Sequence, residues 1–360
     1  MAALRQRLNE GLRQVKGYWV CWLSSDFITV YAVNELRKFL KKPEPLVSVI
    51  IPFYNRIDWT AQAVESILNQ TYQQFEIILV NDGSNEPIDK LISMGDSRIS
   101  LLHQQNLGPA AARNHGIRQA KGNYIALLDS DDIFLPEKLE RQVEVHQQNP
   151  RVWLSHTSYQ RFTTAGETSA ISERLEVMHS GKFSGNLYPK IFYDCPIATP
   201  TVMFRREVVE HDIWYEESYR ICEDVIFYSK IAYFSEIIGL DTPLTLVRMS
   251  DNTHSTDPYC RIAGAQNIRH YILHSYPALT FSEKKSLLCA ISYKIASYYF
   301  SLRKPFYFVF YLLRSLILTP PMRDRIPGLY YPEIFFPLRK AKSIIRRIIG
   351  YNWSNQGKKR

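Results

Sequence analysis

The chain has 360 residues, of which 46% are hydrophobic and 22% charged. These values exclude a disordered, a collagen-like and a low-complexity chain, and they predict one large α/β domain with terminal elements. The five cysteines are far apart and never form a CxxC pair, so neither a disulfide framework nor a thiolate zinc site is indicated.

The net charge of +9 is unevenly distributed along the chain. Residues 1–42 carry +5 and residues 303–360 carry +11, which leaves −7 for the middle. Basic, aromatic ends on an acidic body predict an anionic partner, for which a membrane and nucleic acid are the two candidates. Because no secretory signal peptide is visible, we expect the chain to stay in the cytosol.

From residue 46 onward, short β-branched runs alternate with amphipathic stretches, which predicts β-α-β units and a largely parallel sheet. The predicted strands are 47–51, 75–80, 99–103 and 124–128, and the helices between them are 58–69, 88–94 and 109–120. Polar residues gather where each strand ends. In open α/β sheets ligands bind beyond these carboxyl ends, so we expect the functional site there.

The second half of the chain is less regular. It has predicted helices after residue 136 and over 223–234, predicted strands over 152–162 and 199–204, and a helical, aromatic pattern from residue 281. The apolar run 305–318 is interrupted by Arg314 and is shorter than the roughly 18 to 20 residues that a spanning helix needs. It therefore predicts an interfacial or buried helix.

Three carboxylates, Asp129, Asp131 and Asp132, follow the fourth strand within four positions. Such crowded charges repel one another unless a cation or hydrogen-bond donors offset them, and hard oxygen ligands suit Mg²⁺ or Mn²⁺. The alternative is that these acids cap the helix that follows.

Four motifs occur in the order and spacing of the family 2 glycosyltransferases. They are VIIPFYN at 49–55, NDGS at 81–84, GPAAARNHG at 108–116 and DSDD at 129–132. The chain resembles this family over about residues 46–136. The resemblance implies the GT-A fold, a Rossmann-like nucleotide-binding sheet with helices on both faces, here with a helical C-terminal region.

The resemblance implies a donor pocket that contains Pro52, Tyr54, Asp82 and Arg113. The ring of Tyr54 can stack on a nucleobase, and Asp82 can accept a hydrogen bond from the imide of uracil. Arg113 can donate to a base carbonyl or to phosphate. Without that context these residues could be a packing tyrosine, a turn aspartate and a surface arginine.

The resemblance also assigns the reacting groups. Asp131 is the direct metal ligand of the DxD pair, and Asp129 is a further ligand or a ribose partner. Asp224, with Glu223 beside it, is the base that takes the acceptor proton. The alternative is that this acidic pair only favours the start of its helix through the helix dipole.

Residues 247–255 resemble the flexible segment that closes over the diphosphate in many family members. There Arg248 is expected to hold phosphate and His254 to complete the metal site. The alternative for His254 is a solvated histidine in a polar loop. Residues 340–350 form a basic amphipathic pattern that either inserts at a lipid surface or packs on the enzyme.

These predictions combine into a division and a function. Residues 1–44 are a basic extension, 45–260 the glycosyltransferase domain and 261–360 a helical, membrane-associating region. The function is inverting transfer of a sugar, with Mn²⁺ or Mg²⁺, from a UDP-sugar to a glycan or lipid-linked saccharide. The ends, 1–42 and 303–360, are expected to hold the protein on the cytosolic face of the cell membrane. Nucleic-acid binding and turnover-free nucleotide-sugar binding are the rival functions.

Overall fold

The computed structural model describes residues 44–164, 171–249, 257–274 and 279–320, together with residues 326 and 329. The predictions for residues 1–42, for His254 and for 340–350 lie outside the described residues. The helices are α1 Ile57–Leu68, α2 Asp89–Ile92, α3 Pro109–Gln119, α4 Lys138–Gln148, α5 Glu207–Glu210, α6 Glu223–Phe234, α7 Pro258–His274, α8 Phe281–Ser301 and α9 Pro305–Leu318.

The described residues contain one nine-stranded sheet in the order β3-β2-β1-β4-β8-β6-β9-β5, with β7 paired to β6. Its strands are β1 Val47–Phe53, β2 Phe75–Asn81, β3 Ile99–His103, β4 Tyr124–Leu127, β5 Ile133–Phe134, β6 Leu154–Thr164, β7 Ile171–Met178, β8 Met203–Arg205 and β9 Ile237–Arg248. The first four in spatial order are mutually parallel, as predicted, and β8 continues the sheet antiparallel to β4.

Both faces of the parallel half are buried. Alternate residues of β1 enter two different cores: Ile50 lies in one, while Val49 and Ile51 lie in the other. Helices α3 and α6 contribute to the first core, and α1 and α4 contribute to the second. This arrangement confirms the predicted sheet with helices on both faces, because continuously apolar strands need cover on each side.

Gly116 allows α3 to pack closely on β1. A Cβ atom built on Gly116 would lie 2.5 Å from Cγ2 of Ile50, a separation that real contacts do not reach. The close approach carries Arg113 and Asn114, which lie within one turn of Gly116, into buried positions. The glycine therefore helps to place an arginine at the carboxyl ends of the strands.

Two predicted elements differ from the structure. Residues 199–201 form a 3-10 turn and the strand begins only at Met203, because Pro200 has no N–H group for a ladder. The segment 247–255 does not begin as a flexible loop, since Val247 and Arg248 pair with β6 as the end of β9.

Helices α7, α8 and α9 form the helical C-terminal region. Ile226 of α6 packs with Ile262, Ile268 and Leu287 of this region in a third core. No helix among the described residues is long and apolar enough to cross a membrane. Helix α7 runs unbroken across residues 260 and 261, and the predicted domain division there stays a prediction.

Candidate active site

A pocket lies beyond the carboxyl ends of β1, β2 and β4. It encloses about 440 Å³, part of it open to solvent. Its lining residues are Pro52, Phe53, Tyr54, Asp82, Pro109, Arg113, Asp129, Ser130 and Asp131. Six of the predicted donor-site residues therefore lie together, and the seventh, Arg248, lies behind the pocket wall.

Asp82 anchors the loop that leads into α3. Its carboxylate accepts hydrogen bonds from Gln104 Nε2 at 2.8 Å, from the Leu107 N–H at 2.9 Å and from the Gly108 N–H at 3.0 Å. The turn after β2 is instead closed by Asn81, whose Oδ1 accepts from the Ser84 N–H. Asp82 thus orders the pocket rim, while the ring of Tyr54 remains 45% exposed at the mouth.

The acidic turn after β4 is compact. The Asp132 N–H donates to the Asp129 carbonyl at 3.1 Å, and the buried Asp132 carboxylate accepts from the Arg248 N–H at 2.8 Å. Helix α4 begins only at Lys138, with Glu137 before it. The alternative that these acids cap the following helix is therefore excluded by the structure.

Asp129 and Asp131 present oxygen ligands at the pocket. Burial and the negative charge of Asp129 raise the pKa of Asp131, even though Arg56 Nη1 lies 3.2 Å from its carboxylate. Among the described residues there is no group of three or more His, Cys, Asp or Glu that could hold a metal ion. Two carboxylates nonetheless fit Mg²⁺ or Mn²⁺, since such ions usually complete their shells with water and substrate phosphates.

Arg113 links the pocket to α6. Its buried guanidinium donates to Asp129 Oδ1 and to Glu223 Oε1, both at 2.8 Å. Burial alone would lower the pKa of Arg113, but the two carboxylates raise it above its usual range. The cation therefore neutralises one acid from each half of the site and fixes the distance between them.

Asp224 lies in the first turn of α6, half-buried, and its Oδ1 accepts from the Val225 N–H. Burial, followed by the negative charge of Glu223, raises its pKa to about 7. The other titratable groups that face it are Arg113, Asp129, Cys195, Tyr215, Cys222 and Tyr228. A carboxylate with a pKa near neutrality is suited to accept a proton at physiological pH.

Arg248 holds the acidic turn from behind. Its guanidinium lies between the rings of Trp59 and Phe162, 4.6 Å from each centroid, and its Nε donates to the Asp131 carbonyl at 2.8 Å. Nη2 donates to Gln62 Oε1, whereas the buried Nη1 has no hydrogen-bond partner among the residues that the structure describes. The contact of Arg248 with phosphate stays a prediction.

We predict that Arg113→Met destabilises the fold by about 2 kcal/mol or more, because Asp129 and Glu223 would lose the cation that compensates them. Chemical denaturation at pH 7 measures the free energy of unfolding. Arg118→Met, on the same helix but in an exposed pair with Glu217, is the control and should change it by less than about 1 kcal/mol. Equal losses in both variants would contradict the bridging role.

Comparison with known sequences identifies the domain. Residues 48–213 match the model of Glycosyl transferase family 2. An uncharacterized glycosyltransferase of Rickettsia bellii is 42% identical over 256 residues, which is 70% of this chain and 36% of the relative. One of Rickettsia felis is 44% identical over 231 residues, 63% of this chain and 37% of the relative. The chain thus spans little more than a third of these relatives' length.

Solved structures share the architecture at low sequence identity. S. aureus TarS 1-349 in complex with UDP is 19% identical, with a TM-score of 0.55 over 85% of this chain and 92% of that one. Mannosyltransferase PcManGT from Pyrobaculum calidifontis, in complex with GDP-Man and Mn²⁺, is 15% identical, with a TM-score of 0.50 over 89% and 92%. The fold is GT-A, and residues 48–213 form a domain that matches Glycosyl transferase family 2.

Proposed function

We propose that this protein transfers a sugar, with inversion, from a nucleotide diphosphate donor to a hydroxyl group. The observation that carries the proposal is the bridge from Asp129 through Arg113 to Glu223, the neighbour of Asp224. The bridge joins a pocket suited to a nucleotide and a divalent ion to a carboxylate suited to take a proton. A binding-only protein has no use for that second group.

Each residue has a defined task in this reaction. Tyr54 stacks on the base and Asp82 offers its remaining acceptor capacity to the imide. Asp131 and Asp129 would hold Mn²⁺ or Mg²⁺, which as a Lewis acid neutralises charge on the diphosphate. Asp224 accepts the proton of the acceptor hydroxyl, whose oxygen attacks the anomeric carbon as the bond to the diphosphate breaks on the opposite face. A single displacement of this kind inverts the anomeric configuration.

We propose a UDP-sugar as the donor. An imide edge that pairs with Asp82 is present in uracil and in thymine, and a related fold, S. aureus TarS, has been solved with UDP. PcManGT carries GDP-Man, so guanine nucleotides belong in any test. Release of nucleoside diphosphate from a panel of UDP-, dTDP- and GDP-sugars, with and without Mn²⁺, tests the assignment, and no release from any donor would contradict it.

We further propose that the acceptor is a glycan or a lipid-linked saccharide at the cytosolic membrane face. Helix α9 supports this because Phe306, Phe310, Leu313 and Ile317 form one stripe with exposures of 76, 50, 48 and 79%. Residues 284–320 hold six Lys or Arg and no Asp or Glu. An apolar stripe in basic surroundings suits the headgroup boundary of an anionic bilayer, whereas nucleic acid gives no role to the stripe.

Replacing all four residues of the stripe by Ser should reduce binding to phosphatidylglycerol vesicles about 10²-fold or more, because each buried side chain contributes up to roughly 1.5 to 3 kcal/mol. Co-sedimentation measures the partition. The control replaces Ile92 and Phe281, which are exposed apolar residues elsewhere, and should bind like the unmodified protein. The proposal would be contradicted if the stripe variant still pelleted with the vesicles like the unmodified protein. It would also be contradicted if the substitutions dissociated a dimer and left vesicle binding unchanged.

A further inference from the structure

Helix α7 packs against the turn that leads into α6. Asn267 Nδ2 donates to the Ile221 carbonyl at 3.1 Å, and the Tyr219 hydroxyl lies 2.8 Å from His270 Nδ1. Gly264 faces the same turn one helical turn before Asn267. Three positions on one face of α7 therefore contact residues 219–222, which immediately precede Glu223 and Asp224.

Gly264 is the point of closest approach. A Cβ atom built on it would lie 2.4 Å from Cys222 Sγ and 3.2 Å from Ile221 Cγ2. Glycine is the least favourable helix residue apart from proline, so its presence in the middle of a 17-residue helix calls for a reason. Contact with the Cys222 side chain supplies that reason.

The turn has little support of its own. Cys222 is a non-glycine residue with φ 62°, in the left-handed region, and α6 has no side-chain cap at this end. Such a conformation persists only where its surroundings hold it. Since Asp224 is two residues further on, a change in the Cys222 backbone would redirect the carboxylate.

We propose that Gly264 and Asn267 are positioning residues for Asp224, which makes α7 part of the catalytic apparatus. The inference rests on the proposed function, in which Asp224 is the base. The family match ends at residue 213 and the site already reaches Glu223 and Asp224 beyond it, and the proposal extends the site further, to a helix in the C-terminal region.

The test is Gly264→Ala, assayed by nucleotide release from UDP-N-acetylglucosamine and UDP-glucose with Mn²⁺. The added methyl group displaces Cys222, so we expect kcat to fall about 10- to 100-fold while the KM for the donor stays within about 2-fold. In the double variant Gly264→Ala, Cys222→Ala the Sγ atom is gone, and kcat should return to within about 3-fold of that of Cys222→Ala alone. Asn267→Ala should also lower kcat, while the KM for the donor stays within about 2-fold.

Gln266→Ala is the matched control. Its Nε2 donates to the Tyr311 hydroxyl of α9 and not to the turn 219–222, and its replacement should leave kcat unchanged. An unchanged kcat in Gly264→Ala would overturn the proposal. So would an equal loss in Gln266→Ala, or a failure of the Cys222 change to rescue, because either result indicates general damage to the helix.

A second readout needs no turnover. The pH dependence of thermal unfolding contains a contribution from Asp224, obtained as the difference between the unmodified protein and Asp224→Asn. We expect Gly264→Ala to reduce this contribution, because a displaced carboxylate loses its enclosed environment. If the unmodified protein turned over no donor, the proposed function would fail, yet the unfolding profiles would still decide the positioning role.

Discussion

Asp224→Asn is expected to reduce sugar transfer about 10²- to 10⁴-fold, the range that a positioned general base contributes. The amide cannot accept the acceptor's proton, and its size preserves the start of α6. Nucleotide binding should persist, because Asp224 does not line the donor pocket. Nucleotide release measures the transfer rate and the thermal shift measures nucleotide binding, so the two measurements on the same preparations separate a loss of catalysis from a loss of binding.

The pH dependence of the transfer rate of the unmodified protein should report the ionisation of Asp224. The base works only when ionised, and its pKa is about 7, so transfer should rise with pH up to about 7 and level off above it. Asp89→Asn, an exposed carboxyl at the start of α2, should leave both rate and profile intact. A rate that stays within a few-fold in Asp224→Asn would contradict its role as the base, whereas nucleotide binding without transfer in the unmodified protein would favour the binding-only function.

As pH rises, the contribution of Asp224 to the stability of the fold should fall while the transfer activity increases. The pKa of Asp224 is raised from 3.8 to about 7, so the native state binds the proton more tightly than the unfolded chain does. Stability from this group is therefore present below about pH 4 and is lost as pH rises to about 7. At pH 8 Asp224→Asn should be more stable than the unmodified protein by on the order of 1 to 3 kcal/mol, and the difference should vanish near pH 4.

The sequence predicted the pocket well because its signals are local. Tyr54, Asp82 and Asp129 each follow an apolar strand, and parallel strands bring their carboxyl ends to one edge. The position of Asp82 beside Tyr54 could be inferred in this way. That Asp82 accepts three hydrogen bonds from the loop 104–108 could not, because the loop's path depends on the packing of α3.

Contacts between distant segments escaped the sequence analysis. Arg113 and Glu223 are 110 residues apart, and nothing in either motif predicts their ion pair. Arg248 was expected in a flexible segment because residues 247–255 resemble one in the family, yet Arg248 ends a strand that is fixed by parallel pairing with β6. Residues 261–360 were expected to be helical, but the bounds of α7 were not predicted, because this helix contacts protein on more than one face and its apolar residues show no clear period.

Asp131→Asn is expected to abolish the Mn²⁺-dependent part of nucleotide binding. At a nucleotide concentration about 100 times Kd, binding should stabilise the unmodified protein by about 2.7 kcal/mol. The panel is UDP, dTDP, GDP and CMP, each with and without Mn²⁺, followed by thermal unfolding. One diphosphate nucleotide should give a metal-dependent shift, and Asp131→Asn should lose it because only one charged ligand, Asp129, remains.

Without ligands the same variant should be no less stable than the unmodified protein at neutral pH. Asp131 is partly buried among Asp129 and Asp132, and removing its charge relieves their repulsion. Asp58→Asn is the matched control. Like Asp131, which pairs with Arg56, Asp58 is a carboxylate that pairs with a basic residue, Lys90, but it is exposed and lies outside the pocket. A ligand shift that survives in Asp131→Asn would mean that the ion, if bound, is held elsewhere. A shift lost equally in both variants would show that the effect is nonspecific electrostatics and not metal ligation by the acidic turn.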